Sequence, residues 1–265
     1  MSCRLHYREE WTLRLLHESQ YWDSCIFFTL TYDDKHLPDN ESLSISDLQK
    51  FFKRLRKRLK KERKIAYYAS GEYGDKHDRP HYHVIMFGLD FLNDDDRKLI
   101  QDSWDLCDWS TQKKSFGVVT PQSIRYTLKY IEKKVIGKEA KYAYDEYSII
   151  PPFRLISKGI GKRYAIDHKE EVEKNSLSLR GCRRSTPRYY SNVTGSDRTI
   201  IQEFAESREV ELVQELTGVR ATMDDLFFTQ KDETYIKVKD AVEKSNIQRD
   251  LNLRSSVELK DRKKR

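Results

Sequence analysis

From Arg79-Pro80 the chain runs through His81-Tyr82-His83-Val84-Ile85-Met86-Phe87 to Gly88. That aromatic, β-branched and apolar run predicts a strand with a glycine stop. Ile65-Ala66-Tyr67-Tyr68-Ala69-Ser70-Gly71-Glu72-Tyr73 predicts a second strand, and the polar loop 74–80 would fold the two into a hairpin. Strand side chains alternate between faces, so His81 and His83 point the same way, about 6.5–7 Å apart. Glu72 would then lie across the ladder from them.

The rest of the chain alternates helical and extended patterns. Leu5, Trp11, Leu15 and Leu16 predict a helix over 4–20, and Cys25 to Tyr32 predicts a central strand covered on both faces. On that strand Thr29 and Thr31 fall on one face, Phe28 and Leu30 on the other. Ser46-Asp47 is expected to cap a helix running to about Lys61, with Leu48, Phe51, Phe52, Leu55 and Leu59 as its apolar stripe. A helix is expected over 94–107, a short strand over 115–120, and a helix over about 122–135 with Pro121 near its start. Residues 151–154 and 159–162 read as loops, and 197 to about 216 as a helix with mixed charges. The remainder is polar, helical in part or mobile.

Composition narrows this picture. Of 265 residues, 37% are hydrophobic and 35% charged, so one well-packed core with solvated helices or a loose tail is expected rather than two full domains. The formal charge of +7 favours a polyanionic partner, nucleic acid first. Cys3, Cys25, Cys107 and Cys182 are scattered, which suits reduced thiols better than a disulfide or zinc framework. No apolar run approaches a membrane span and the N-terminus is not signal-like, so a soluble, intracellular protein is expected.

Three groups of residues carry candidate chemistry. His81 and His83 can share a metal ion with Glu72 as a third, oxygen ligand; equally, the two imidazoles can hydrogen-bond to neighbours on a half-buried strand. Tyr126 and Tyr130 are i and i+4 on a predicted helix, so both phenols project from one face. Aromatics at that spacing often belong to a core, but here Ile124, Leu128, Ile131 and Val135 already supply an apolar stripe. Lys129 and Lys133 flank the tyrosines, and Lys134 adds charge. Finally, nine cations fall between Lys53 and Lys64. Arg54, Arg58 and Lys61 are the expected phosphate contacts of that helix, unless the face is merely solvated.

Together these parts suit phosphodiester chemistry. A metal held by two His and a carboxylate can polarise a phosphodiester as a Lewis acid, and a tyrosine can attack the phosphorus. A free phenol is only about 0.1% ionised at neutral pH, and nearby metal and lysine charge would favour the phenolate. A phosphotyrosine conserves the energy of the broken bond, and a second tyrosine can cut while the first still holds its end.

Phe28-Thr29-Leu30-Thr31-Tyr32, Gly71-Glu72-Tyr73-Gly74, Arg79-Pro80-His81-Tyr82-His83 and Tyr126-xxx-Tyr130-xx-Lys133-Lys134 occur in this order. In that order and spacing the chain resembles the HUH-type rolling-circle replication initiators, most closely those of single-stranded DNA bacteriophages of the Microviridae, gokushovirus type. The resemblance covers about residues 3–190, including Pro151-Pro152-Phe153-Arg154 and Pro187-Arg188-Tyr189-Tyr190. It implies that His81, His83 and Glu72 bind a divalent ion, Mg²⁺ or Mn²⁺, and that Tyr126 and Tyr130 are nucleophiles, which the charges of Lys129 and Lys133 are expected to assist. Thr29, Thr31 and Lys134 are assigned to contacts with DNA or with the ligands.

The resemblance departs at Tyr82, where the wider superfamily prefers an aliphatic residue. Relatives also often carry a Cys-rich stretch ahead of Ser2-Cys3-Arg4, and this sequence starts inside it, so an N-terminal contribution to folding or DNA contact is expected to be missing. The implied fold is α+β, a central antiparallel sheet forming the HUH endonuclease palm, flanked by helices. A nuclease domain over 1–190 and a C-terminal extension over 191–265 are expected. The implied activity is nicking of the viral strand at the origin, linkage to the 5′ phosphate and later rejoining of the circle, in the cytoplasm of an infected bacterium. Single-stranded origin DNA is the expected partner, with host helicase and polymerase beside it and no membrane. Plasmid initiators, relaxases and transposases share this chemistry, and a non-catalytic DNA- or RNA-binding module could use the basic helix alone.

Overall fold

The apolar run after Pro80 forms the middle strand of a five-stranded antiparallel sheet. The computed structural model describes residues 2–59, 63–74, 78–112, 115–129, 140–179 and 182–217, with 240 and 244. In chain order the sheet comprises β1 (Cys25–Leu30), β2 (Ala66–Tyr73), β3 (Pro80–Phe87), β4 (Phe116–Val118) and β5 (Phe153–Ile156). Their spatial order is β4-β1-β3-β2-β5, all neighbours antiparallel. β1, expected at the centre, lies second from one edge, and β3 takes the centre. β5 corrects the loop expected at 151–154: the two prolines precede the strand, and Phe153 and Arg154 enter the ladder opposite Gly71 and Ser70.

Helices cover both faces of the sheet. On one side α2 (Ile45–Arg58) and α3 (Asp94–Ser103) pack on Ile26, Phe28, Tyr82, Val84 and Met86. On the other side α1 (Ser2–Ser19) and α4 (Pro121–Thr127) pack on Tyr68, Ile85 and Phe87 through Trp11, Leu15, Ile124 and Leu128. The period-two pattern of β3 thus sends Tyr82 into one layer and His81 and His83 to the other side.

Three helix ends differ from expectation, each for a local reason. The N-cap of α2 is Ser44, whose hydroxyl accepts from Asp47 N, two residues before the cap expected at Ser46-Asp47. The fully buried Tyr82 holds that cap in place: its hydroxyl accepts from Ser44 N at 2.7 Å and meets the Tyr32 hydroxyl at 2.9 Å. α3 stops at Ser103, short of Cys107, because Trp104 leaves the helix to bury its indole and donate to Thr31 O. Gly88 ends β3 with φ +92°, and a Cβ there would come within 2.4 Å of Lys64 O. The third end, that of α4, belongs to the site below.

Cys25 and Cys107 are free thiols, pushed up to about 11 and about 12 chiefly by burial. Among the described residues no helix is long and apolar enough to cross a membrane.

The chain divides into two compact units, Met1–His168 and Lys169–Arg265. The first unit holds the sheet and ends in α5 (Lys162–Asp167). The second holds α6 (Lys169–Glu173), the short β6–β7 pair (Ser178–Leu179, Cys182–Arg183), α7 (Arg188–Thr194) and α8 (Arg198–Thr217). Within it Arg208 on α8 donates to the carbonyls of Lys174 and Asn175 just past the end of α6.

His17 on α1 makes the first unit sensitive to acid. It is buried and stacks on Tyr164 at 3.5 Å between ring centroids. Burial, then the charge of His168, pulls its pKa from 6.5 to about 4. The folded state therefore binds fewer protons than the unfolded chain between those values, and stability is lost as pH falls from about 6.5 to about 4. The shift corresponds to an order of ~3 kcal/mol when complete. Denaturant titrations across that window should show the decline, and His17→Phe, which keeps a ring against Tyr164, should flatten it.

Candidate functional site

His81 and His83 stand on the face of β3 that carries Ile85 and Phe87, their rings near parallel at 13° with centroids 6.4 Å apart. His81 is oriented by the hairpin end: its Nδ1 lies 2.6 Å from Arg79 O, which also accepts from Gly74 N at 3.0 Å. The carbonyl can only accept, so Nδ1 carries the proton and Nε2 the lone pair. Burial is the main cause drawing the His81 pKa below its usual value, opposed by that carbonyl. Gly74 permits this packing, since a Cβ there would sit 3.1 Å from His81 Cε1.

His83 and Glu72 are both 4% exposed and in direct contact, Nε2 to Oε1 at 3.1 Å. Glu72 pairs with His81 in the register, so it reaches His83 diagonally. The Thr29 hydroxyl lies 2.9 Å from His83 Nδ1. With an ionised Glu72 accepting from Nε2, Thr29 donates to Nδ1. A hydroxyl can also accept, so the same contact would hold the tautomer that frees Nε2 as a ligand.

In kind, the donor set of two imidazoles and a carboxylate fits a divalent ion. Among the described residues, however, no three His, Cys, Asp or Glu groups converge closely enough to hold one as they stand. The His83–Glu72 pair is closed by its own hydrogen bond.

α4 brings Tyr126 to this pair. Thr120 and Ser123 form a reciprocal capping box with Pro121 in the first turn. The helix ends at Thr127 with Leu128 as its C-cap, and the expectation of a helix to Val135 is corrected over the described part. Ser70, directly opposite His83, donates its hydroxyl to Thr127 O at 2.7 Å and so ties the end of α4 to the histidine row. Ile124 and Leu128 are buried, whereas Tyr126 is 40% exposed, with its ring 4.7 Å from that of His83 and 6.3 Å from Phe27. Lys129 follows in a turn, its N–H on Tyr126 O. Tyr130, Lys133 and Lys134 lie outside the described residues. Ser70 has no sequence signal beyond being a polar residue in a buried strand.

The basic helix does not meet this site. α2 covers the opposite face of the sheet, and two of its arginines close the end of α3. Arg54 donates to Ser103 O at 2.8 Å and pairs with Asp105 at 2.9 Å; Arg58 donates to Asp102 O at 2.9 Å. Helix C-terminal carbonyls need such donors, and cations there also suit the helix dipole. Lys61 lies outside the described residues. Thr31, just past β1, is 9% exposed, and its hydroxyl finds no hydrogen-bond partner among the described residues. Arg54→Met should cost about 1 kcal/mol of stability through the Ser103 carbonyl left without its donor, read as a lower denaturant midpoint at unchanged slope.

The ORF2-type family of replication-associated proteins matches residues 25–135, the span that includes β1, Glu72, both histidines and α4. The chain is 34% identical over 212 residues to the replication-associated protein VP4 of Bdellovibrio phage phiMH2K, covering 72% of this chain and 64% of that one. It is 30% identical over 240 residues to the replication-associated protein ORF2 of Spiroplasma virus 4, covering 81% and 70%. With the replication-associated protein ORF4 of Chlamydia phage 1 it shares 28% over 192 residues, covering 67% and 47%. The chain thus spans less than two thirds of the length of the first and third of these. No solved structure matches it.

Proposed function

The chain belongs to the ORF2-type family of replication-associated proteins, and from that premise we propose that it initiates phage DNA replication by cutting and rejoining one DNA strand through a tyrosine. The observation that carries this reading is the contact of the half-exposed Tyr126 ring with His83, beside Glu72 and His81. An apolar stripe fixes α4 to the sheet, and the tyrosine is the residue it leaves over the histidines.

His81, His83 and Glu72 would hold a divalent ion, Mg²⁺ or Mn²⁺. That ion would supply Lewis-acid polarisation of the scissile phosphodiester. Arg79 O fixes His81 with its Nε2 lone pair available, and Thr29 orients His83. Tyr126 Oη attacks the phosphorus: a P–Oη bond forms, the P–O3′ bond breaks, and the leaving oxygen becomes a free 3′-hydroxyl once protonated. The phenolic proton passes to solvent, and Lys129, three residues further on, is assigned the nearby positive charge. A 5′-phosphotyrosine link remains, which a later 3′-hydroxyl can reverse to close the circle. Tyr130 is assigned the second nucleophile, Lys133 the matching charge, and Lys134 and Thr31 contacts with DNA. Origin DNA is the substrate, and host helicase and polymerase are the partners that would extend and displace the strand in the infected cell.

The test is a denaturant-resistant adduct between the protein and single-stranded oligonucleotides of randomised sequence, with Mg²⁺ or Mn²⁺ added. Mapping the modified peptide to 126 or 130 supports the reading. Free 5′-phosphate ends without adduct would make the protein a hydrolytic nuclease, and binding without cleavage would make it a non-catalytic module.

A further inference from the structure

One row of directly paired residues crosses four strands through the site. Thr29 on β1 pairs with His83 on β3, His83 with Ser70 on β2, and Ser70 with Arg154 on β5. Directly paired residues share a face of the sheet, so Arg154 belongs to the histidine face. Strands are spaced about 4.8 Å, so its Cα lies about 10 Å from that of His83. That is about three steps of a strand at the B-form rise of about 3.4 Å, and fewer for an extended one.

The arginine is held on a prepared aromatic support. Its guanidinium carbon lies 5.0 Å from the Tyr7 ring centroid and 5.4 Å from that of Trp11, both on α1. Stacking uses the faces of the guanidinium, whereas a phosphate is bound by its in-plane N–H edge, so the ring contacts themselves do not exclude a phosphate. The residue is exposed on the β5 edge of the sheet. Two further arginines lie on this side: Arg14 donates to Ile160 O and packs on Trp11, and Arg125 pairs with Glu9. Those of α2 lie on the far face, at the end of α3.

We propose that Arg154, stacked on Tyr7 and Trp11, binds a backbone phosphate of the single strand about two strand spacings from His83, and so sets where the chain lies across the site. This rests on the reading above, and it moves the principal phosphate contact from the basic helix to the β5 edge. Arg154 is a positioning residue: it fixes which phosphodiester reaches Tyr126 and takes no part in bond exchange.

Binding of oligothymidylate to the full chain at a series of salt concentrations tests it without requiring cleavage. Arg154→Gln should weaken binding about tenfold and reduce the log–log salt slope by about 0.7, the value of one single-strand phosphate contact. Arg154→Lys should keep the slope and lose part of the affinity, because charge remains but the planar fork is gone. In the unaltered protein, oligothymidylate should protect Arg154 from phenylglyoxal, read by peptide mass. That measurement stands even if Arg154→Gln fails to fold. Equal modification of Arg154 with and without oligothymidylate, or an unchanged slope in folded Arg154→Gln, would overturn the proposal and leave the residue a clamp on α1. Absence of adduct in the unaltered protein would overturn the nicking reading instead, and leaves these binding contrasts intact.

Discussion

His83→Ala is expected to lower adduct formation by about 10³-fold or more, a loss that no other single substitution should exceed. His83 touches Glu72, Thr29 and Tyr126 at once, so under the proposed mechanism its removal would take away a metal donor and the ring against which the nucleophile is placed. Lewis-acid stabilisation of phosphoryl transfer is worth several kcal/mol, and about 1.4 kcal/mol is a factor of ten in rate. The substitution also leaves the buried Glu72 carboxylate short of a partner, so some stability is lost with it. His81→Ala separates the two effects: its ring is anchored to the hairpin end, and the fold and binding to DNA should survive while adduct formation falls comparably. Excess chelator on the unaltered protein should reproduce the loss, and full activity in chelator would remove the metal from the mechanism.

Tyr126→Phe combined with Tyr130→Phe should abolish the adduct altogether, while either change alone leaves some. Phenylalanine keeps the ring that packs on His83 and Phe27, so the pair of substitutions isolates the two hydroxyls. Tyr126→Phe is expected to be the more damaging single change, because Tyr126 is the phenol seated on the histidine pair. Each single variant should also fail in the complete cut-and-rejoin cycle, in which two ends must be handled in succession. Peptide mapping in each variant decides between one nucleophile and two: attachment at only one position means the other tyrosine packs or binds DNA. An adduct in the double variant would take both out of the chemistry.

The sequence by itself determined the parts of this protein that depend on local periodicity. Two-residue alternation puts His81 and His83 on one face of β3 whatever the strand packs against. The stripe of Ile124 and Leu128 leaves Tyr126 off the core side of α4, since 3.6 residues make a turn. Gly88 marks the end of β3 through a backbone conformation other residues resist. The family motifs could be read for the same reason, being short and contiguous.

Only the tertiary structure decided which surfaces meet. The charge between Lys53 and Lys64 could be counted in the sequence. That α2 packs on the Tyr82 side, with Arg54 and Arg58 turned to the end of α3, follows from long-range burial of Phe51, Phe52 and Leu55. The expected break at 151–154 failed because prolines mark a loop locally, yet they can precede an edge strand, where a missing N–H costs little. Ser70 and Arg154 acquire meaning only through the register, which brings residues far apart in the chain into one row with His83. Register and facing are set by the packing of whole elements against one another, and no local run of side chains encodes them alone.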